Sequence, residues 1–534
     1  MYTVSVSIVL FIVFAVYKLR NVGRRPANYP PGPPTLPILG NLHLMPKTKL
    51  HEQFKKWGDE YGPIYSLING STTFIVLNSD QAVKDLLDKR SNIYSSRPDN
   101  YIPNRMSGGS RIAMMKYGKM WRKIRSTIHE HLNINASKSY IPYQDLETRQ
   151  LLVNFLDNPT RWVDHLKLLT NSLTTQMVFG FRVTDPDDEK MQQVYTGFQR
   201  FGEIFFTVAA QMMDCYPIFR SFPEVLMPIK RTAREHHEIE RELYCGHWLT
   251  AKEKLQAGTL SPCMCVDLVA SQKREGYSDI LAGYITGTML EGGSDTTWSE
   301  LVGWMQAMVL FPNVARTAQE EIDRVCGDRL PSLEDESNMP YIRCCVKEAL
   351  RFMPTVSVGI PHAVIEDDWY MGYKIPKGAT VTINVWGIHN DPNRHPSPRT
   401  FDPTRYADDH QTSYEAAVNP DVTKRDHFLF GAGRRICAGM HIADRSMFLA
   451  ISRLLWAFNF ELPEGATTDP RDLSEGIVMH PRNVPVNITA RSEERAEAIR
   501  KEWDVVEGKL DEGGQWKKVP EGMFVKQGLK AQKS

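Results

Sequence analysis

A mainly α-helical fold with minor β structure, preceded by one membrane-spanning helix, is what this sequence predicts. Three features carry that reading. Long stretches repeat their apolar residues at helical spacing, and the longest runs from Asp279 to Phe311. Two short regions alternate in the manner of strands. The first seventeen residues, MYTVSVSIVLFIVFAVY, carry no charge.

That N-terminal run is close to the minimum for crossing a bilayer. Lys18, Arg20, Arg24 and Arg25 follow it. Positive charges behind the apolar run, rather than before it, predict an uncleaved anchor (residues 1–17) with the rest of the chain on the cytosolic side. Residues 18–45 form a basic, Pro-rich hinge, in which the closely spaced prolines of Tyr29–Gly40 hold an extended spacer. Ile64–Asn69 and Ser71–Leu77 are β-prone runs meeting at Asn69-Gly70, a strong hairpin signal. A second β region, Tyr373–Val385, turns around Pro376-Lys377-Gly378. The helix beginning at Asp279 is closed by Pro312 and would span about 45 Å. No linker or repeat divides residues 46–490, which read as one catalytic domain. Residues 491–534 turn polar and charged, the pattern of a frayed helix and a mobile tail.

Composition excludes some functions. A formal charge of +1 over 534 residues leaves no basic excess for neutralising phosphates, so nucleic acid is not an expected partner. Eight cysteines without regular spacing suit free thiols in a reducing compartment.

Chemistry concentrates in Phe430-Gly431-Ala432-Gly433-Arg434-Arg435-Ile436-Cys437-Ala438-Gly439. Cys437 lies just ahead of a helical stretch, Gly439–Phe458, whose N-terminal N–H groups favour a thiolate. Gly433 and Gly439 permit close backbone approach, and Arg435 can pair with a carboxylate. The segment resembles the haem-binding loop of the cytochrome P450 superfamily, F-x-x-G-x-R-x-C-x-G, at all five fixed positions: Phe430, Gly433, Arg435, Cys437 and Gly439. The resemblance implies that Cys437 ligates the iron of haem b. An electron-releasing thiolate there favours O–O cleavage.

Glu348 and Arg351 share a helix face, as do Glu238/Arg241, Glu321/Arg324 and Glu497/Arg500. The first lies between the long glycine-containing helix and the cysteine loop and is followed by Phe401-Asp402-Pro403-Thr404-Arg405-Tyr406, an order similar to the family's E-x-x-R helix and later Pro-x-Arg segment. The resemblance implies a structural Glu348–Arg351–Arg405 network; Tyr406 stands where the family usually has Phe. Within the long helix, Glu291-Gly292-Gly293-Ser294-Asp295-Thr296-Thr297 contains two glycines costing about 1 kcal/mol each. Taken alone it could be a tight helix crossing. It resembles the family's [A/G]-G-x-[D/E]-T-[T/S] groove, which makes Thr296 the hydroxyl meeting oxygen on the distal haem face and Asp295 its proton relay. By the same resemblance Trp121, Arg125 and His362 contact haem propionates, although Arg125 alone would pass for a surface arginine and His362 for a locally bonded histidine.

The motifs stand in family order from the hinge to about Asn487. They imply a helix-rich prism with small β-sheets, holding one haem, that inserts one atom of O2 into an organic substrate. No flavin or nucleotide-binding module is present, so electrons are expected from a separate NADPH–cytochrome P450 reductase, with cytochrome b5 as a further donor. Arg122, Lys123, Lys424, Arg425, Arg434 and Arg445 are candidate docking cations. Pocket walls are expected from Tyr101–Met115, Phe198–Phe206, Tyr284–Met289, Thr355–Ile360 and Gly476–Met479. Those stretches are mostly apolar and suit a neutral substrate; Arg105 and Arg111 are the cations that could meet an acid. The anchor and motif details look most like filamentous-fungal members, many of which hydroxylate aromatic or polyketide intermediates of secondary metabolism, at the endoplasmic reticulum membrane. Rival readings are a haem-thiolate isomerase, dehydratase or peroxygenase needing no reductase, which often lacks the acid–alcohol pair, and a non-catalytic haem gas sensor.

Overall fold

The computed structural model describes residues 21–522; the expected anchor, residues 1–17, and residues 523–534 lie outside them. Among the described residues, no helix is long and apolar enough to cross a membrane.

The main helices are α1 (Leu50–Tyr61), α2 (Lys119–Leu132), α3 (Ile141–Asp157), α4 (Trp162–Phe179), α5 (Glu189–Phe205), α6 (Val208–Cys215), α7 (Ile229–Gln256), α8 (Asp279–Leu310), α9 (Pro340–Phe352), α10 (Met440–Ala457) and α11 (Glu493–Glu507). The Ser278 hydroxyl accepts the Leu281 N–H and starts α8, and Pro312 follows its end. Residues around its whole circumference are buried, as a central helix requires. It packs against α4, α7, α9 and α10. Gly287 and Gly283 allow this: a Cβ on Gly287 would lie 2.2 Å from the Tyr244 ring of α7.

The predicted hairpin is present as β1 (Ile64–Asn69) and β2 (Thr72–Leu77), paired Asn69 to Thr72. The second β region splits between sheets. β3 (His362–Ala363) and β6 (Thr380–Ile383) extend the first sheet in the order β1-β2-β6-β3, with β2 and β6 parallel. β4 (Asp368–Tyr370) pairs with β5 (Tyr373–Ile375), and β7 (Phe458–Glu461) with β8 (Asn487–Ala490).

Two segments differ from expectation. The Pro-rich hinge is extended but not a free spacer. Arg25 donates to the carbonyls of Gly32 and Pro33, both at 2.9 Å, and Ser66 of β1 donates to Pro30 and Pro31, which lays the hinge against the sheet. The segment after Arg491, expected to fray, docks instead. Val506 and Leu510 bury against Leu146 of α3. The Trp516 indole packs beside Tyr143 and donates to Gln176 at 2.8 Å. Gln515 brackets the backbone of Arg182, accepting its N–H at 2.8 Å and donating to its carbonyl at 3.1 Å. Sparse apolar residues in a charged stretch had hidden this face.

Candidate active site

The cysteine loop is held from several directions. The Cys437 N–H donates to the Phe430 carbonyl at 2.9 Å, closing the loop just before α10, which Gly439 caps. Gly433 has φ +65°, and a Cβ there would sit 2.0 Å from the Leu87 carbonyl oxygen. Its N–H donates to Asp88 at 2.6 Å. The crowding that demands glycine at 433 therefore comes from the protein's own backbone. At Gly439 a Cβ would lie 4.0 Å from the Cys437 sulfur. The Cys437 side chain is accessible although protein encloses most of it. Burial raises its thiol above the ordinary value; the N–H groups of Gly439 and Met440 and the Arg125 charge pull the other way.

Beside the loop stands a cluster of cations. The Arg435 guanidinium lies 3.9 Å from the Trp121 ring centroid and donates to the carbonyls of Ser95 and Met115 at 2.9 and 2.7 Å. Arg97 donates to the carbonyls of Ala113, Ile360 and Pro361. Arg125 donates to the Ile436 carbonyl. None of the three has a carboxylate partner among the described residues. Burial, with Arg97 and Arg125 as neighbours, holds Arg435 well below the usual guanidinium range. His362, on β3, donates from Nδ1 to the Tyr94 carbonyl at 2.8 Å, which leaves Nε2 as the acceptor of the neutral ring. Burial and the charges of Arg97 and Arg435 hold it well below its ordinary value. Uncompensated buried guanidiniums, an indole N–H and a thiol flanked by amide N–H groups form a donor set suited to two carboxylates and one soft metal ion. Arg97 escaped the sequence reading; only its lack of an ion-pair partner marks it.

On α8, Gly293 packs against α4, where a Cβ would lie 2.5 Å from the Thr174 hydroxyl oxygen, whereas a Cβ on Gly292 would meet nothing within 4 Å. One glycine serves packing and the other opens a groove. The Thr296 hydroxyl donates to the Gly292 carbonyl at 2.8 Å, and the Thr170 hydroxyl of α4 donates to the Ser294 carbonyl at 2.7 Å. Burial pushes the Asp295 carboxyl up to about 6, against the Trp298 indole N–H at 3.0 Å and the nearby Lys167 charge.

Glu348 and Arg351 are fully buried and joined by two hydrogen bonds of 2.7 Å, with Arg405 at 3.4 Å from the same carboxylate. The rival pairs do not match this: Arg324 is 3.8 Å from Glu321 and mostly exposed, and Arg500 bonds Asp157 instead. His389, also missed in the sequence, accepts the Phe428 N–H at 2.8 Å and ties this network to the cysteine loop.

A family model described as Cytochrome P450 matches residues 30–488. The chain belongs to the cytochrome P450 family. It is 51% identical over 519 residues to the cytochrome P450 monooxygenase virE of Hypocrea virens, covering 96% of this chain and 94% of that protein. It is 48% identical to fogE of Aspergillus ruber (98% of each chain) and to fsoB of Humicola fuscoatra (96% of each), both described as cytochrome P450 monooxygenases. A zebra fish cytochrome P450 structure with abiraterone aligns with TM-score 0.66 at 22% identity, over 83% of this chain and 100% of that one, and shares the fold. The protein is thus a P450 monooxygenase of fungal type, its cofactor is haem b, and it uses O2, a small-molecule substrate and a redox partner.

In this P450 four of the five expected wall segments meet at one cavity of about 300 Å³. Met114, Phe205, Phe206, Ile360 and Ile477 line it, together with strands of the first sheet. The fifth segment does not: the Tyr284 hydroxyl bonds His237 of α7 at 2.7 Å. Two expected cations are also reassigned. Arg111 is buried and paired with Glu240 and Glu291, so it is not free to meet an acid, and Arg105 stands 3.5 Å from Glu224 near the surface. Among the docking candidates, Arg425 is buried against Asp88, Arg445 donates to the Ser137 carbonyl and Lys123 pairs with Glu275. Arg122, Lys424 and Arg434 remain exposed.

Proposed function

We propose that this protein is a membrane-anchored monooxygenase that inserts one atom of O2 into an uncharged, apolar small molecule, aromatic or polyketide-type, of fungal secondary metabolism. Electrons come from NADPH through a separate reductase. The observation that carries the substrate reading is the cavity between the first sheet, α5 and the Thr355–Ile360 segment, whose lining is mainly apolar and whose charged residues, Asp99, Asp214 and Arg220, pair with one another. Fungal relatives near half identity, all described as monooxygenases, support the reaction class.

Cys437 would ligate the iron, and Arg97, Arg125, Arg435 and Trp121 would hold the propionates, with His362 beside them. Bound there, haem b supplies the redox chemistry that activates O2. Thr296 and Asp295 deliver protons from the α8 groove: Thr296 presents a hydroxyl at the open flank of Gly292, and burial pushes the Asp295 carboxyl up to about 6. The intact acid–alcohol pair favours oxygen activation over a reductase-independent isomerase, dehydratase or peroxygenase. Arg122, Lys424 and Arg434 form the docking face for the reductase's acidic surface.

The apolar run 1–17 and the charges behind it support a single-pass anchor in the endoplasmic reticulum membrane. Exposed Val208, Ile218, Val225 and Leu226 add apolar contact near the hinge, where the Tyr216 hydroxyl donates to the Ile38 carbonyl. Deleting residues 1–25 should then move the protein toward the soluble fraction. Full retention on membranes would transfer the anchoring role to that apolar surface.

The deciding experiment is the carbon monoxide difference spectrum of the reduced protein, followed by turnover of neutral aromatics with and without reductase. A strongly red-shifted Soret band that Cys437→Ala abolishes, with product formed only when reductase is present, is the expected result. A normal band in Cys437→Ala overturns the ligand assignment. Product without reductase overturns the electron route.

A further inference from the structure

We propose that the protein carries a second small-molecule site, separate from the haem pocket, in a cavity of about 330 Å³ between α4, α5, α7 and α8, and that this site takes a neutral planar aromatic bearing a hydroxyl. Among the described residues, none lines both this cavity and the one assigned to the substrate, so the site stands whether or not the monooxygenase reading does.

Helix geometry builds the chamber. Asn171, Thr175 and Phe179 recur every fourth residue along one face of α4 and line it. Gly180 ends that helix at φ +77°, where a Cβ would lie 2.9 Å from the Ser261 carbonyl oxygen. This left-handed turn brings Phe181 beside His247 of α7. The rings of Phe179, Phe181 and His247 then stand with centroids 5.0–6.3 Å apart and planes 24–31° from one another. Near-parallel rings at these separations make one aromatic wall. Met191 and Val194 of α5 and Leu290 of α8 close other sides. The volume falls within the roughly 300–1,000 Å³ of small-molecule sites.

The inner end of the chamber holds an unanswered acceptor. Asn171 is 1% exposed, and its Oδ1 has no hydrogen-bond partner among the described residues. Its Nδ2 donates to the Ser294 hydroxyl oxygen at 3.2 Å, which fixes the amide against α8. A buried carbonyl without a donor is costly, and a ligand hydroxyl supplies the donor. Charge is confined to the rim. Lys190 and Lys254 are exposed, and Asp188 is engaged in capping α5, where it accepts the Met191 N–H at 2.8 Å. Burial lowers His247 to about 4, so the wall it shares with the two phenylalanines is uncharged at neutral pH. An ionised group inside meets no counter-charge there. A hydrocarbon without a hydroxyl leaves Asn171 unsatisfied, and a polyol wastes the aromatic wall. A planar ring with one hydroxyl answers both features.

The test is equilibrium dialysis of 1-naphthol and of naphthalene against the full-length, haem-loaded protein, run beside a haem spin-state titration. The spin-state shift reads the haem pocket alone, so dialysis should find 1-naphthol bound in excess of what that shift accounts for. Val194→Trp, which fills the chamber, should remove one equivalent of 1-naphthol and leave the spin-state titration unchanged. If that variant fails to fold, Thr250→Trp, at the exposed rim, closes the mouth and should do the same. Asn171→Leu should weaken this equivalent about tenfold, and wild type should hold naphthalene there about tenfold more weakly than 1-naphthol. Three results overturn the proposal: no binding beyond the haem pocket, an occupancy unchanged by the filled or closed chamber, or equal affinity there for naphthalene and 1-naphthol.

Discussion

Arg351 and His389 hold each other by reciprocal hydrogen bonds: the Arg351 guanidinium donates to the His389 carbonyl at 2.9 Å, and His389 Nδ1 donates to the Arg351 carbonyl at 3.1 Å. With Nδ1 protonated, Nε2 is free to accept the Phe428 N–H, nine residues before Cys437. Burial and nearby positive groups keep the ring neutral. One histidine thereby connects the buried Glu348–Arg351 pair to the cysteine loop.

Removing that connection should be felt at the loop. His389→Ala leaves the Phe428 N–H without a partner and should lower stability by about 2–3 kcal/mol. Urea unfolding measures the loss. The carbon monoxide spectrum should show a larger neutral-thiol fraction, which a change in global stability alone would not produce in the folded population.

Arg435→Leu removes the half-buried cation stacked on Trp121 and proposed to hold a propionate, while keeping most of the side-chain volume. Haem should dissociate at least about tenfold faster to an acceptor such as apomyoglobin, the equivalent of ~1.4 kcal/mol. An unchanged off-rate would place the propionates elsewhere.

Thr296→Ala should keep haem and substrate binding but divert reducing equivalents to peroxide, lowering product per NADPH by about tenfold or more. Asp295 adds a pH signature. Its folded-state carboxyl lies above the ordinary carboxylate value, near 6, so the folded protein holds that proton more tightly. Its stabilising contribution is present at low pH and is lost as pH rises from the unfolded value through about 6. Asp295→Asn should flatten this part of the stability profile, which urea unfolding across that pH range measures.

Tyr406 stands where the family usually has Phe, and its buried hydroxyl has no hydrogen-bond partner among the described residues. Tyr406→Phe should raise stability by about 1 kcal/mol and leave turnover unchanged. A loss of stability would mean that the hydroxyl is satisfied by an ordered water.

Trp516→Ala tests the docked C-terminal segment. Losing its packing on Tyr143 and its bond to Gln176 should cost about 2–4 kcal/mol and expose the segment to proteolysis. Because α3 also grips α10 through Gln144, which donates to the Ile442 carbonyl at 3.0 Å and to Ser446 at 2.7 Å, a faster haem loss should accompany it.

The residues themselves determined a good deal of this protein. The cysteine loop, the β1–β2 hairpin and the limits of the long helix were legible because each is encoded locally: by a glycine where φ must be positive, a serine cap, a proline stop, or an alternation of apolar residues. The family followed from five positions within ten residues. What only the tertiary structure decided depends on partners far apart in the chain. Arg111 meets Glu291 across 180 residues, which turns an available cation into a masked one. Arg97 and Arg425 look alike in sequence, yet one donates to backbone carbonyls with no counter-ion among the described residues and the other is buried on Asp88. The tail has too few apolar residues to signal helix docking, but Val506, Leu510 and Trp516 meet a complementary face on α3. Charge pairing and burial are properties of neighbours in space, and folding, not residue order, chooses them.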